Sequence, residues 1–510
     1  MLDVKTLIDL IDTVGNSDDI AIRAHERNPL TYSALAAQVK TTLGALNDLG
    51  IGRNDRVAIV LPNGPEMATA FLAIATGATA APLNPGYRAE EFKFYLEDLN
   101  ACALLVDENS ESPALDVANQ LDIPVLRLCV EEGAPAGSFT LEGETIDSGN
   151  RKIETGPGSA DDIALVLHTS GTTSRPKIVP LSQRNLCASA RNIGSTLCLS
   201  KEDCCMNIMP LFHIHGLIAA VLSSMAAGAS LYATPGFNAL KVFTWVSDAQ
   251  PSWYTAVPTM HQAILSRVVR NKEILDQMKL RFIRSSSSSL APQIMEELES
   301  TFGCPVIESY GMTEATHQMA SNLLPPGKRK AGTVGVAAGP KICVMDEQGK
   351  ILTSGQTGEF VIRGDNVTPG YENNPKANAE GFQDGWFRTG DQGFMDSEGY
   401  VTITGRLKEI INRGGEKISP REVDEVLLDH PAVQQVVTFA YPHKQLGEDV
   451  AVAVVLAEGE SLDESELRTF ARERLADFKV PRKVVFIDEI PKGATGKLQR
   501  IGLAEKLGIS

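Results

Sequence analysis

Short apolar runs bounded by turn residues alternate with helix-like stretches through the first four hundred residues of this chain. Arg56 to Leu61 reads as a buried strand, Pro65 to Ala75 as an Ala-rich helix, and Ala103 to Val106 and Ile163 to Leu167 as further strands. That rhythm predicts an α/β fold, sheets covered by the helices that connect their strands. At 510 residues with 43% hydrophobic content, the chain is too long for one core, so two or more lobes are expected.

The rhythm changes at "GRLKEIINRGGEKISPREVDEVLLDHP", which begins at Gly405. A Gly-Arg turn gives way to charged residues, a Gly-Gly pair and a strong helix start. Ser419 is the expected N-cap, Pro420 the first-turn proline and Glu422 the far end of an S-x-x-E capping box ahead of Val423, Val426 and Leu427. Two strand-like runs follow, Val433 to Ala440 and Val450 to Leu456, then an amphipathic helix from Asp463 to Phe478 and a last strand, Lys483 to Ile487. We therefore expect a large N-terminal domain over 1–405, built of several subdomains, and a small mobile α+β domain over 406–510.

Charge and composition exclude several functions. A net charge of -17 disfavours nucleic acid and anionic membrane, since polyanion binding needs a clustered basic surface. Met1 to Leu10 carries two aspartates and no cationic flank, unlike a signal peptide. Ala68 to Leu83 is diluted by Ala, Thr and Gly, and no membrane span is expected. The eight cysteines show no C-x-x-C spacing, and Cys204 and Cys205 are adjacent, so buried free thiols in a reducing, cytoplasmic setting are expected. The chain ends Gly508-Ile509-Ser510, which is not the peroxisomal S-K-L signal.

Chemistry concentrates in five blocks. In "VLHTSGTTSRPKIVP", residues 166 to 180, a strand opens into Thr169, Ser170, Gly171, Thr172, Thr173 and Ser174 and closes on Lys177. Backbone N–H groups of such a loop converge on phosphate oxygens, and hydroxyls and a lysine add donors and charge. It lacks G-x-x-x-x-G-K-[ST] and is not a Walker A loop. "ESYGMTEATH" brings Ser309, Tyr310, Gly311, Met312, Thr313 and Glu314 together. These offer an aromatic face for a base, a hydroxyl for phosphate and a carboxylate for magnesium. Asp391 ends "GWFRTGD" with a carboxylate suited to both hydroxyls of a ribose. Arg406 stands in "TGRLKEI", and Lys497 follows a glycine in "PKGATGKLQR".

In order and spacing these blocks resemble the adenylate-forming superfamily of acyl-CoA synthetases, firefly luciferase and peptide-synthetase adenylation domains, from about residue 30 to residue 500. Within it, "PLFHIHGL", "WYTAVPTMHQAIL", "RFIRSSSSSLAP" and "MTEATHQMASN" look most like the oxalate-CoA ligases. The family loop usually reads T-G-x-P-K-G, whereas Ser174 and Ile178 stand at the two glycine places here. A β-branched residue is poor at positive φ, so Ile178 puts the exit of the loop in question.

The resemblance implies an acid-thiol ligase that uses Mg2+ with ATP and takes coenzyme A as co-substrate. A carboxylate attacks the α-phosphorus of ATP, pyrophosphate leaves, and the thiol of coenzyme A then displaces AMP from the acyl-adenylate. Carried over block by block, Thr169 to Ser174 and Lys177 would cradle the phosphates, with Thr169 and Glu314 near the metal. Tyr310, within Ser309 to Met312, would stack on adenine, and Thr313 would meet the α-phosphate. Asp391 and Arg406 would hold ribose, and Lys497 would bridge carboxylate and phosphate as a catalytic residue. Lys408 would be the hinge about which the small domain turns, bringing Gly415 to the coenzyme A tunnel, where the absence of a side chain admits the pantetheine arm. His213 would gate the acyl site, with His215 beside it equally available.

A small dianion needs polar partners when buried. The serines 285 to 289 and His317 stand where fatty-acid enzymes would be expected to place small apolar residues, so His213, Ser289 and His317 are the expected acyl-pocket residues. Oxalate is the first candidate, with malonate, a medium-chain or aryl acid, or a carrier-protein acceptor as alternatives, and a nucleotide-binding regulator without turnover as a different class. Arg284, directly before the serines, could pair with the second carboxylate, though a capping or structural role fits it better on sequence alone.

Overall fold

The structure is a computed structural model, and it describes residues 4–15, 17–146, 152–169, 176–491 and 498–509. Among the described residues the strands form four sheets. A seven-stranded sheet is centred on Ala103–Asp107, Arg56–Val60, Thr79–Pro82 and Ile163–Thr169, all parallel, and Lys177–Ser182 pairs antiparallel at its edge. A nine-stranded sheet runs through Cys204–Asn207, Trp253–Ala256, Phe282–Ser285 and Val306–Met312 in parallel register, then turns antiparallel at His317–Ser321. This is the α/β architecture expected.

Composition explains the layer between the sheets. Every residue of the Pro65–Gly77 helix except Glu66 is buried, as is every residue of His215–Leu222. A helix apolar on all sides is stable only when protein surrounds it. The His215–Leu222 segment is wound as a π-helix, a form with i→i+5 hydrogen bonds that occurs mostly at functional sites.

A third sheet joins Lys341–Met345, Gly358–Arg363 and Trp386–Met395, and Val401–Arg406 pairs with the last of these so that Arg406 lies opposite Asp391. The next strand, Ile411–Arg413, belongs to the fourth sheet, with Glu416–Ile418, Val433–His443, Gly447–Leu456 and Lys483–Phe486. The change of sheet thus falls between Arg406 and Ile411, and Lys408 is exposed in the connecting turn.

Three local expectations are corrected. Ser419 caps Pro420–Leu428 by accepting from the Glu422 N–H, but the box is not reciprocal, because the Glu422 carboxylate accepts from Lys479 Nζ at 2.5 Å instead. A complete box forms at Asp463 and Glu466, and the helix it opens stops at Arg472 rather than Phe478. The chain must reverse there to reach Lys483–Phe486, and Pro481 bars further winding. The eight cysteines are free thiols as expected, but only Cys187, Cys204, Cys205 and Cys304 are buried, and Cys198 is exposed. No described helix is long and apolar enough to cross a membrane.

Candidate active site

Thr169 ends its strand directly opposite Lys177, so the hairpin closes on the pair that brackets the phosphate loop. Ser170, Gly171, Thr172, Thr173 and Ser174 lie outside the described residues, as does Lys497. Ile178 is no longer a difficulty for the exit: it is an extended strand residue paired with His168, it is absent from the positive-φ residues, and its carbonyl accepts from the Glu372 N–H. Lys177 places its ammonium 4.3 Å from the ring centroid of Tyr371. The Tyr371 hydroxyl in turn donates to Glu314 Oε1 at 2.8 Å.

Ser309, Tyr310, Gly311 and Met312 occupy the end of Val306–Met312, and Thr313 and Glu314 form the one-turn 3-10 helix that follows. Glu314 is buried, and desolvation raises its carboxyl while the Tyr371 hydrogen bond opposes that rise. One buried carboxylate beside a phosphate loop suits magnesium, which usually takes one or two carboxylates and completes its shell with phosphate and water. Among the described residues no group of three or more His, Cys, Asp and Glu could hold a metal independently.

Tyr310 donates through its hydroxyl to Asp391 Oδ2 at 2.5 Å, and Arg406 donates through Nε to Asp391 Oδ1 at 3.0 Å. Strand pairing sets Arg406 there, so the three nucleotide-side residues come together although they are far apart in sequence. Burial and the Asp391 charge hold the Tyr310 phenol well above its usual range, and it stays a neutral donor.

The acid-side residues divide. His215, not His213, is fully buried: its Nδ1 lies 3.0 Å from Ser287 Oγ and its Nε2 2.6 Å from Thr255 Oγ1. His213 is half-buried in the preceding turn, with Nδ1 accepting from the His215 N–H at 3.3 Å. His317 is buried, and its ring centroid is 4.9 Å from that of His215. Its φ of 91° is rare for a residue with a side chain, and such backbone persists where the surroundings impose it. Ser289 is exposed, while Ser285 and Ser286 are buried and Ser287 supplies the hydroxyl at His215. The structure thus brings His215 and His317 together, keeps His213 in the turn before His215 and leaves Ser289 at the surface.

Sequence reasoning undervalued Arg284. It sits on Phe282–Ser285 with no exposed surface, and its guanidinium reaches Thr255 Oγ1 at 3.4 Å, His215 Nε2 at 3.5 Å, His317 Nδ1 at 3.5 Å and Gln318 Oε1 at 3.2 Å. An arginine directly after the apolar pair Phe282-Ile283, in the middle of a short strand, was the available signal. Gly415 has φ of 102°, and a Cβ there would meet nothing within 4 Å, so open space surrounds the turn between Ile411–Arg413 and Glu416–Ile418.

A hairpin that ends on Thr169 and Lys177, the buried Glu314 carboxylate and the Tyr310–Asp391–Arg406 group on a two-part α/β frame are the arrangement expected of an adenylate-forming fold. Comparison with known proteins agrees. The chain matches the AMP-binding enzyme family over residues 13–372 and the AMP-binding enzyme C-terminal domain over residues 422–497. It therefore belongs to the AMP-binding enzyme family. It is 44% identical to the oxalate-CoA ligase of Arabidopsis thaliana, with 98% of each chain covered. With the oxalate-CoA ligase of Saccharomyces cerevisiae it is 41% identical over 97% of this chain and 96% of the other. The ATP-bound crystal structure of MatB from Rhodopseudomonas palustris superposes with a TM-score of 0.88 at 29% identity, covering 98% of both chains. The apo form of MatB gives 0.77, so the arrangement of this chain is nearer to the ATP-bound form.

Proposed function

We propose that this chain is an ATP-dependent ligase that joins oxalate to coenzyme A with release of AMP and pyrophosphate. The observation that carries the reading is the acid-side cluster, where two imidazoles, a serine hydroxyl and a guanidinium meet in a buried space. A fatty acyl chain gains nothing from such partners, whereas a two-carbon dianion needs them to offset desolvation. Full-length similarity to two oxalate-CoA ligases supports the same choice.

In the first step a substrate carboxylate oxygen bonds to the α-phosphorus of magnesium ATP and pyrophosphate departs. Both reactants are anions, so the protein contributes chiefly orientation and positive charge. Thr169 to Ser174 and Lys177 hold the leaving phosphates, Thr313 the α-phosphate, and Tyr310, Asp391 and Arg406 the nucleoside. Thr169 and Glu314 would hold the magnesium that accompanies the nucleotide, which would supply positive charge to the phosphates, and Lys497 would bridge the two reacting anions. In the second step the coenzyme A sulfur bonds to the acyl carbon, the thiol proton is lost and AMP leaves. Domains 1–405 and 406–510 turn about Lys408 between the steps, exchanging Lys497 for Gly415, while His213 lines the entrance to the acyl site and Ser289 its outer wall.

The test is AMP and pyrophosphate release by purified protein with magnesium ATP, coenzyme A and a panel of acids. Oxalate should exceed malonate, benzoate and octanoate in kcat/KM. Preference for octanoate would overturn the polar-pocket reading, and a product formed only on a carrier protein would overturn the coenzyme A step.

A further inference from the structure

Arg284 presents an imbalance that the fold does not resolve. Its guanidinium is wholly inside the nine-stranded sheet, yet among the described residues no carboxylate pairs with it. None of the partners it has is a carboxylate, and they lie at 3.2 to 3.5 Å, longer than most N–H···O contacts. Its Nε has no partner at all. Burial alone draws the group down to about 9. A buried cation costs several kcal/mol unless an anion offsets it, and an apolar side chain of similar volume would fill the same place on the strand without that cost.

The neighbours show where the missing charge belongs. A guanidinium only donates, and the ring nitrogens that face it are His215 Nε2 and His317 Nδ1, each at 3.5 Å. The other ring nitrogen of His215, Nδ1, lies 3.0 Å from Ser287 Oγ. Arg284 thereby has both imidazoles against it and brings an uncompensated positive charge to this cluster.

We propose that Arg284 is the specificity-determining countercharge for the remote carboxylate of a dianionic acid, acting through His215 and His317. This rests on the reading of the cluster as the acid end of the site. It assigns to Arg284 a discrimination between acids that differ only in the charge of the group not undergoing reaction.

Oxalate and oxamate make the comparison, because oxamate replaces one carboxylate by a neutral amide of nearly the same shape. The full-length wild type, Arg284→Gln and Arg284→Lys are assayed for pyrophosphate release with each acid, and the KM for ATP is measured alongside. In Arg284→Gln, kcat/KM for oxalate should fall by at least about thirtyfold, as when one member of a buried charge pair is removed. The value for oxamate should stay within about threefold, the effect of a substitution that leaves its contacts in place. Arg284→Lys should retain the preference for oxalate. Equal losses on both acids, or a KM for ATP that rises with them, would assign the residue to the fold or to the α-phosphate and overturn the proposal. Should Arg284→Gln not fold, Gln318→Glu sets a carboxylate against the same guanidinium and must lower the oxalate-to-oxamate ratio; an unchanged ratio overturns the proposal equally. A wild type that uses another dianion but not oxalate sinks only the oxalate reading, and that acid and its amide then serve in the comparison. A wild type confined to monocarboxylates sinks both.

Discussion

The hydroxyl of Tyr371 lies 2.8 Å from Glu314 Oε1, while the Lys177 ammonium rests 4.3 Å above the same ring. One side chain therefore touches both the Lys177 ammonium at the end of the hairpin and the buried Glu314 carboxylate, the two groups proposed to meet the phosphates and the metal. Burial raises the Glu314 carboxyl and this hydrogen bond works against it. Tyr371→Phe keeps the ring under Lys177 and removes only the donor, so the Glu314 carboxyl should rise further. A hydrogen bond to a charged group is worth about 1.5–3 kcal/mol, and adenylation at limiting magnesium should fall roughly tenfold or more. The acid limb of the pH–rate profile should move to higher pH, because a protonated Glu314 cannot serve the cation. An acid limb and magnesium dependence identical to wild type would remove Tyr371 from the pathway.

Gly311 is required by His317 as well as by nucleotide. A Cβ at position 311 would come within 1.9 Å of the His317 carbonyl oxygen and 3.2 Å of its Nδ1. Gly311→Ala must push back a backbone that already holds positive φ, at a cost of about 1–3 kcal/mol for overpacking. Thermal melting should drop, and the KM for oxalate should rise more than the KM for ATP. A variant that loses ATP affinity alone would show that the glycine serves only the nucleotide.

Legibility in the sequence follows the range of the interaction. The strands at Arg56–Val60, Ala103–Asp107 and Ile163–Thr169 are short apolar runs between turn residues, and local pattern suffices to place them. The Ser419 cap was legible for the same reason. Its failed reciprocity was not, because Lys479, 57 residues on, competes for Glu422. Arg284 draws its neighbours from Thr255 on the adjacent parallel strand, His215 on the buried helix, and His317 and Gln318 on the antiparallel strand, which meet only in the folded sheet. Likewise "HIHG" offers two histidines with nothing local to rank them. The start of the buried helix at His215 turns that ring inward and leaves His213 in the turn before it. Ile178 looked doubtful only against a glycine pattern; as an edge-strand residue it suits the β conformation.

Lys497 precedes by three residues a well-anchored arginine. Arg500 pairs with Asp424 at 2.6 Å and donates to the Thr438 carbonyl at 3.1 Å, tying the segment to the C-terminal sheet. We expect Lys497→Ala to reduce adenylation by on the order of a hundredfold to a thousandfold, the scale of one electrostatic group at a developing charge. Thioester formation from supplied acyl-adenylate and coenzyme A should change little. Equal loss in both half-reactions, read by rapid quench, would mean that the lysine does not act on the first step alone.

Glu308, one residue before the nucleotide strand residues, is buried with Oε1 accepting from the Leu290 N–H at 3.0 Å and Oε2 without a partner. Burial lifts its carboxyl from 4.5 to about 7, against the smaller opposing pull of Arg421. Between those two values the folded protein holds a proton that the unfolded chain has released. Stability must therefore decline as pH rises through that window and level off above it, the reverse of an ion-paired carboxylate. Glu308→Gln keeps the acceptor for Leu290 and cannot ionise. It should be close to wild type near pH 4.5 and more stable above pH 7, by up to about 3 kcal/mol at 1.36 kcal/mol per pH unit. Melting temperatures of both proteins across that range measure the difference directly. Parallel curves would show that Glu308 is protonated in both states or in neither, and that its environment in solution is wetter than the buried one described.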